Sequence, residues 1–148
     1  MRGRGGMDMR RFRPDGAALV ALCGIVLVGI GLYFVFLRPP LLPEDARYIG
    51  ADVAALAASL PGLQPWLQKV FWVMGGYIIA TGLLTVYVAR TTLPARTSGA
   101  LGMVAASGLV SIGWMASVNV LLDSDFKWPL LALASLWATA TILCWRGR

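Results

Sequence analysis

The residues most able to support chemistry are carboxylates in two polar segments. The segment "RPPLLPEDARYIG", residues 38–50, contains Glu44 and Asp45, and the segment "LLDSDFKWP" contains Asp123 and Asp125. Four carboxylates brought together could act as acids and bases, or could bind calcium, which takes about 6–8 oxygen ligands. Their spacing matches no calcium-binding loop, so we expect the two segments to dock through mixed-charge pairs. This candidate polar cluster comprises Arg38, Glu44, Asp45, Arg47, Asn119, Asp123, Asp125 and Lys127.

Other catalytic and metal-binding arrangements lack the residues they need. The chain has no His, and neither Cys23 nor Cys144 has a second cysteine nearby in the sequence. Most zinc, haem, copper and di-iron sites and the Ser-His-Asp triad are therefore disfavoured. We interpret the two cysteines as small core residues. The sequence predicts no catalytic residue, no cofactor and no metal, and a membrane enzyme that uses the four carboxylates stays as an alternative.

Four long apolar segments must position these residues. The chain is 58% hydrophobic and only 14% charged, and its four uncharged runs are 16–37, 70–89, 97–122 and 128–145. A helix needs about 20 residues to cross a hydrocarbon core of about 30 Å. The sequence therefore predicts an all-α, polytopic membrane protein, an antiparallel bundle of four transmembrane helices within residues 16–145. The predicted spans are 16–37, 66–89, 98–122 and 127–145.

The remaining segments are predicted to lie outside the membrane. Residues 1–15 form a basic cytoplasmic tail, residues 146–148 a cytoplasmic end, and residues 38–68 an outer loop. Within this loop "DVAALAASL" predicts a short surface helix over 52–60, with Asp52 as its N-cap. We interpret it as a lid that packs on the bundle. A helix that docks a partner or contacts lipid is the alternative.

The distribution of charge predicts the orientation. The net charge is +6, and nine of the thirteen basic residues fall on the side of the N-terminus. Because cytoplasmic loops carry an excess of Lys and Arg, both termini are expected in the cytoplasm. Eleven of the thirteen are Arg, which is typical of a bacterial coding sequence rich in G and C. The basic tail is expected to contact anionic lipid and not nucleic acid, since only Phe12 interleaves with its arginines.

Small residues recur in three of the spans. Residues four apart, such as Gly102 and Ala106, are typical of helices that pack closely in lipid. The third span is the richest in them, so we expect it at the centre of the bundle or in contact with another subunit. The candidate packing residues are Gly75, Gly76, Gly82, Gly102, Ala106, Ser107, Ser111, Gly113 and Ser117.

The interior of the membrane lacks ionisable groups. None of the four runs contains Asp, Glu, Lys or Arg, the usual marks of pumps and ion-coupled transporters. The strongest polar group there is Asn119, which we expect to hydrogen-bond to the second span or to the outer loop. An alternative function is that of a small carrier, or of a binder of lipid or of an apolar metabolite, with a cavity near Trp114, Asn119 and the outer loop, in the outer leaflet.

The segments "RPPLLPEDARYIG", "FWVMGGYIIATGLLTVYVA", "SIGWMASVN" and "DSDFKWPLLALASLWA" together resemble a group of small bacterial four-helix membrane proteins with no assigned activity. The resemblance covers about residues 16–145 and implies the architecture and the inner-membrane location. It implies no substrate, cofactor or catalytic residue. The expected function is a non-enzymatic structural or accessory component of a membrane assembly. Its expected partners are the lipid bilayer and either further copies of the chain or a larger membrane complex.

Overall fold

The computed structural model describes residues 16–147, which fold into helices with no β-strand among them. The predicted tail, residues 1–15, and Arg148 lie outside the described residues. A π-helical turn, Leu109–Gly113, joins α5 to α6, so Ala100–Leu121 is one continuous helix, called here the α5–α6 helix. The α-helices are α1 (Gly16–Phe36), α2 (Pro43–Ile49), α3 (Val53–Ser59), α4 (Leu63–Arg90), α5 (Ala100–Gly108), α6 (Trp114–Leu121) and α7 (Lys127–Arg146).

Four of these helices are long and apolar enough to cross a membrane: α1, α4, the α5–α6 helix and α7. Their outward faces carry large apolar side chains, including Leu84, Val110 and Leu121, each more than 60% exposed. A water-soluble protein rarely exposes so much contiguous apolar surface. Length, composition and surface are thus all consistent with a multi-pass membrane protein.

The segment between α1 and α4 contains a helix, α2, that the sequence pattern does not predict. Pro43 begins it, at a position where a missing N–H costs nothing. The carboxylate of Asp45 accepts a hydrogen bond from the backbone N–H of Leu42 at 2.9 Å, which caps the first turn. Gly50, with φ of +73°, ends the helix in the left-handed conformation. The acidic pair Glu44 and Asp45 therefore lies on a helix.

Helix α3 corresponds to the predicted short helix over 52–60. It buries none of its residues, and Asp52 makes no side-chain capping hydrogen bond. Asp52 thus occupies the predicted N-cap position, but its side chain does not cap the helix. The prediction of a packed lid also finds little support, because Val53 and Leu56 are only half-buried and Leu60 is exposed.

Helices α1 and α4 pack closely against each other through two pairs of glycines. A Cβ placed on Gly31 would lie 2.7 Å from the carbonyl oxygen of Gly75, and a Cβ on Gly75 would lie 2.7 Å from that of Gly31. Gly24 and Gly82 form the same reciprocal contact seven residues away along each helix. Gly76, also a candidate packing residue, lies on the open side of α4, where a Cβ would have no neighbour within 4 Å.

The central helix is α1, and not the third span that the density of small residues predicts. It packs against α4 on one side and α7 on the other, while the α5–α6 helix packs mainly on α7. The core near the middle of the bundle joins three helices through the buried side chains of Cys23, Leu27, Ile112 and Leu133. The prediction that Cys23 is a core residue is confirmed.

The α5–α6 helix makes its close contact at Gly108, a residue outside the predicted packing set. A Cβ on Gly108 would overlap the indole ring of Trp137. The π-helical turn begins at the next residue, Leu109. The candidate packing residues of this helix lie elsewhere: Ser111 and Gly113 are half-buried, and the exposed ones are Gly102, Ala106, Ser107 and Ser117.

Candidate functional site

A groove of about 980 Å³ opens between α4 and the α5–α6 helix, with α1 as its floor. Its walls are apolar and include Val26 and Ile30 from α1, Met74 and Ile78 from α4, and Val118 from α6. Ligand sites in proteins typically enclose about 300–1,000 Å³ and combine apolar walls with a few polar groups. This groove is therefore the strongest candidate site among the described residues.

The groove is about half as long as the hydrocarbon core of a bilayer is thick. On α4 it is lined from Phe71 to Thr81, which at 1.5 Å per residue is about 15 Å. A bilayer's hydrocarbon core is about 30 Å thick. An apolar chain lying in the groove would therefore span roughly one leaflet.

The charged groups of the groove collect at one end, called here the loop end, which consists of residues 38–50, Asn119 and residues 122–126. Arg38, Glu44, Asp45, Asn119 and Ser124 all line the groove there. Four of the eight residues of the predicted polar cluster thus contribute to one cavity. The combination of a polar end and apolar walls suits an amphiphile.

Arg38 is held at the loop end by an aromatic pair and a carboxylate. Its guanidinium carbon lies 3.5 Å from the ring centre of Phe71 and 5.4 Å from that of Phe34. Its Nη2 donates to a carboxylate oxygen of Asp45 at 3.3 Å, and its side chain is only 10% exposed. A planar guanidinium can stack on an aromatic ring and bind a carboxylate in its own plane at the same time. The positive charge of Arg38 is therefore already compensated within the protein.

Glu44 connects the two segments of the loop end. The hydroxyl of Ser124 donates to Oε1 of Glu44 at 2.9 Å and accepts from the backbone N–H of Phe126 at 3.2 Å. Glu44 is 8% exposed and Ser124 is 3% exposed. This hydrogen bond joins residues 80 positions apart and ties α2 to the turn before α7.

The two segments dock, but not through the predicted charge pairs. The hydrogen bonds that cross between them run from Ser124 to Glu44 and from Arg47 Nη2 to the backbone carbonyl of Asp123, the second at 2.7 Å. The ion pairs described here lie within a single segment: Arg38 with Asp45, and Lys127 with Asp123. The segments are therefore joined by a neutral hydroxyl and a backbone carbonyl.

The Asp123 carboxylate pairs with Lys127, which lies four residues further along the chain. The hydrogen bond from Lys127, and then the charge of Lys127, lower the pKa of Asp123, with a smaller contribution from the charge of Arg47. Asp123 itself has φ of 51°, a left-handed conformation that Asp adopts more readily than most residues. Asp125 is exposed in the same turn and does not line the groove.

The side-chain amide nitrogen of Asn119 forms its hydrogen bond within its own helix. Its amide nitrogen donates to the carbonyl of Met115 at 2.9 Å, so the predicted bond to the second span or to the outer loop is wrong. Its backbone carbonyl accepts from the backbone N–H of Ser124 at 3.0 Å. Trp114, on the same helix, lines the groove and is 71% exposed.

The carboxylates do not form a shared site. Asp45 is engaged by Arg38, Asp123 by Lys127 and Glu44 by Ser124. Within residues 16–147, no three His, Cys, Asp or Glu side chains come close enough to bind a metal ion. The arrangement serves docking and charge compensation, and gives no paired acid and base.

Three residues that contact Arg38 or Glu44 are absent from the sequence-based prediction of the site: Phe34, Phe71 and Ser124. A serine between two aspartates is typical of a helix cap, and the backbone contact of Ser124 with Phe126 is of that kind. Nothing local indicates that its hydroxyl also reaches Glu44. Phe71, within an apolar run, has the pattern of one more lipid-facing aromatic residue.

Comparisons of the chain with protein-family models, with curated proteins and with solved structures found no match. The resemblance to small bacterial four-helix membrane proteins therefore stays a prediction.

Proposed function

We propose that this chain is a multi-pass protein of the bacterial inner membrane, an antiparallel four-helix bundle with both termini in the cytoplasm. The reversed register of the glycine pairs, Gly24 with Gly82 and Gly31 with Gly75, supports opposite directions for α1 and α4. The excess of arginine on the side of the N-terminus supports the orientation. In this arrangement the loop end, with α2 and α3, lies at the outer face.

Within that membrane the protein binds an amphiphilic lipid and acts without catalysis. One observation carries this function: the 980 Å³ groove has largely apolar walls along α1, α4 and the α5–α6 helix, and its charged lining residues all lie at the loop end. The hydroxyls of Thr81 and Ser111, farther along the groove, bond carbonyls of their own helices. An acyl or similar chain would replace bilayer contacts with contacts to these walls. Its head group would meet Arg38, Glu44 and Ser124 at the depth where lipid head groups begin.

A pair of glycines provides the test. Gly29 lines the groove and Gly76 does not, and a Cβ added to either would have no neighbour within 4 Å. Gly29→Phe fills the groove, whereas Gly76→Phe adds the same ring on an open face of α4. Native mass spectrometry of mildly solubilised protein is expected to find bound lipid in the wild type and in Gly76→Phe, and little in Gly29→Phe. Equal lipid retention in all three would exclude the groove as the binding site.

A second candidate function is an accessory subunit of a membrane assembly. The observation that favours it is the exposed set of small residues on the α5–α6 helix, including Gly102, Ala106 and Ser117. Small residues allow a neighbouring helix to approach closely in lipid. Co-purification from the native membrane tests this role: Ala106→Leu should release a bound partner, and a lone monomer in the wild type would exclude it.

A further inference from the structure

Glu44 is a buried carboxylate that no cation among residues 16–147 pairs with. It is 8% exposed, and its hydrogen-bond partner is the neutral hydroxyl of Ser124. Among residues 16–147 no Lys or Arg lies within ion-pair distance of its carboxylate. Burying a carboxylate without a cation is costly, both in a protein interior and at membrane depth.

One oxygen of Glu44 remains open to a ligand. Ser124 bonds Oε1, and no protein group among the described residues bonds Oε2. No completely buried side-chain oxygen in this part of the chain lacks a partner, so Oε2 must border accessible space. Glu44 lines the groove, so a ligand in the groove can reach this carboxylate.

The charge at the loop end favours a cationic head group. The charged side chains that line the groove are Arg38, Glu44 and Asp45, one positive and two negative. Arg38 and Asp45 neutralise each other at 3.3 Å, and Phe71 covers a face of the guanidinium. The charge left over is that of Glu44. An anionic head would meet this carboxylate and only a compensated arginine.

We propose that the groove selects membrane amphiphiles whose head group carries a protonated amine, and that Glu44 binds this ammonium. The inference rests on the proposed lipid-binding function. An ammonium has three N–H donors and forms strong, short hydrogen bonds to a carboxylate. The apolar chain lies along α4 and the α5–α6 helix, and Ser124 holds the carboxylate in position.

Three amphiphiles with the same twelve-carbon chain test the head-group preference. Wild-type protein is exposed at pH 7 to equal amounts of dodecylamine, dodecanol and dodecanoate, and bound species are counted by native mass spectrometry. We expect the amine to exceed the alcohol by about tenfold, the ratio that one charged hydrogen bond produces. We expect the carboxylate to bind least.

Glu44→Gln removes the charge and keeps an oxygen acceptor for Ser124. It should bind the amine and the alcohol equally while retaining the alcohol at the wild-type level. Asp125→Asn removes one negative charge from the neighbouring turn, outside the groove, and should keep the preference. The comparison of the three amphiphiles on wild-type protein needs no variant, so it decides whether the groove prefers an amine even if Glu44→Gln fails to fold.

The outcomes separate the two proposals. Equal binding of the three amphiphiles, or preference for dodecanoate, would overturn the ammonium site. The lipid-binding groove would still stand if Gly29→Phe abolishes binding of the amphiphiles. An amine preference that survives in Glu44→Gln would overturn the role of Glu44. Binding that Gly29→Phe does not reduce would overturn both proposals.

Discussion

Gly24 and Gly82 face each other so closely that a side chain on either would collide with the backbone of the other. A Cβ on Gly24 would lie 2.8 Å from the carbonyl oxygen of Gly82, and a Cβ on Gly82 would lie 2.6 Å from that of Gly24. Such distances allow contacts between Cα–H groups and carbonyl oxygens across a helix interface. With Gly31 and Gly75, this contact sets the spacing of α1 and α4 and so the width of the groove floor.

Adjacent glycines on α4 give a matched test of this interface. Gly75→Ala should lower the free energy of unfolding by about 1–3 kcal/mol, because the added methyl group forces the helices apart. Gly76→Ala meets nothing within 4 Å and should be neutral or stabilising by up to about 1 kcal/mol, through helix propensity. Unfolding in mixed micelles measures both. Equal effects would show that α1 and α4 are not held at this spacing.

The contact between Gly108 and Trp137 should behave as a coupled pair. Gly108→Ala should cost about 1–3 kcal/mol, because a Cβ there overlaps the indole ring. In a Trp137→Leu background the cost should fall, since the smaller side chain leaves room, and a double-mutant cycle measures the difference. Gly102→Ala, on an open face of the same helix, is the control. Additive effects would contradict a direct contact.

The four apolar helices could be predicted from the sequence because a membrane span follows from composition alone. About twenty uncharged residues suffice, whichever neighbours they pack against. The packing partners could not be predicted in this way. A small residue shows that a close approach is allowed but does not show which helix approaches. Gly75 and Gly102 are both glycines within apolar runs, yet Gly75 contacts α1 and Gly102 lies on an open face.

The residues of the candidate site could be predicted from the sequence only in part. Arg38, Glu44 and Asp45 stand out as charged residues after an apolar run and Asn119 as a polar residue within one, and all four line the groove. Their pairing depends on contacts between distant parts of the chain, such as the bond between Glu44 and Ser124, and on the unpredicted helix α2. Charge signs suggested pairs between the segments, whereas α2 brings Asp45 back to Arg38 and leaves Glu44 for a hydroxyl.

Removing the hydroxyl of Ser124 should weaken the loop end. Ser124→Ala leaves the buried carboxylate of Glu44 without its partner and should cost about 1–3 kcal/mol of unfolding free energy. Ser135→Ala is the control, because that hydroxyl is exposed and bonds the carbonyl of Leu131 in its own helix. Unfolding of both variants in micelles gives the comparison. A cost for Ser124→Ala no larger than that for Ser135→Ala would mean that the bond contributes nothing to stability.

Arg38 should not be replaceable by lysine. Arg38→Lys keeps the charge near Asp45 but loses the planar stacking on Phe71, so we expect a loss of about 1 kcal/mol. Arg90→Lys, an exposed residue at the far end of α4, should change stability by less than about 0.5 kcal/mol. Thermal unfolding in micelles distinguishes the two. Full retention of stability in Arg38→Lys would show that charge alone holds this residue.

Acid should weaken the turn before α7 through Asp123. The hydrogen bond and charge of Lys127 lower the pKa of Asp123 in the folded protein below its ordinary value of about 3.9. A lowered pKa means that the ionised carboxylate favours the folded state, so its contribution is complete above about pH 4 to 5 and is lost as the pH falls through the folded pKa. Because Asp123 is exposed, the effect is small.

Two variants isolate this contribution. The thermal midpoint, measured in a zwitterionic detergent, should fall less between about pH 5 and pH 2.5 in Asp123→Asn than in the wild type, because the amide does not titrate. Asn also tolerates the left-handed backbone of this position. Asp125→Asn removes a charge from the same turn but leaves the pair between Asp123 and Lys127 intact, so its acid dependence should stay closer to that of the wild type. Identical pH profiles for Asp123→Asn and the wild type would mean that this pair does not couple to folding.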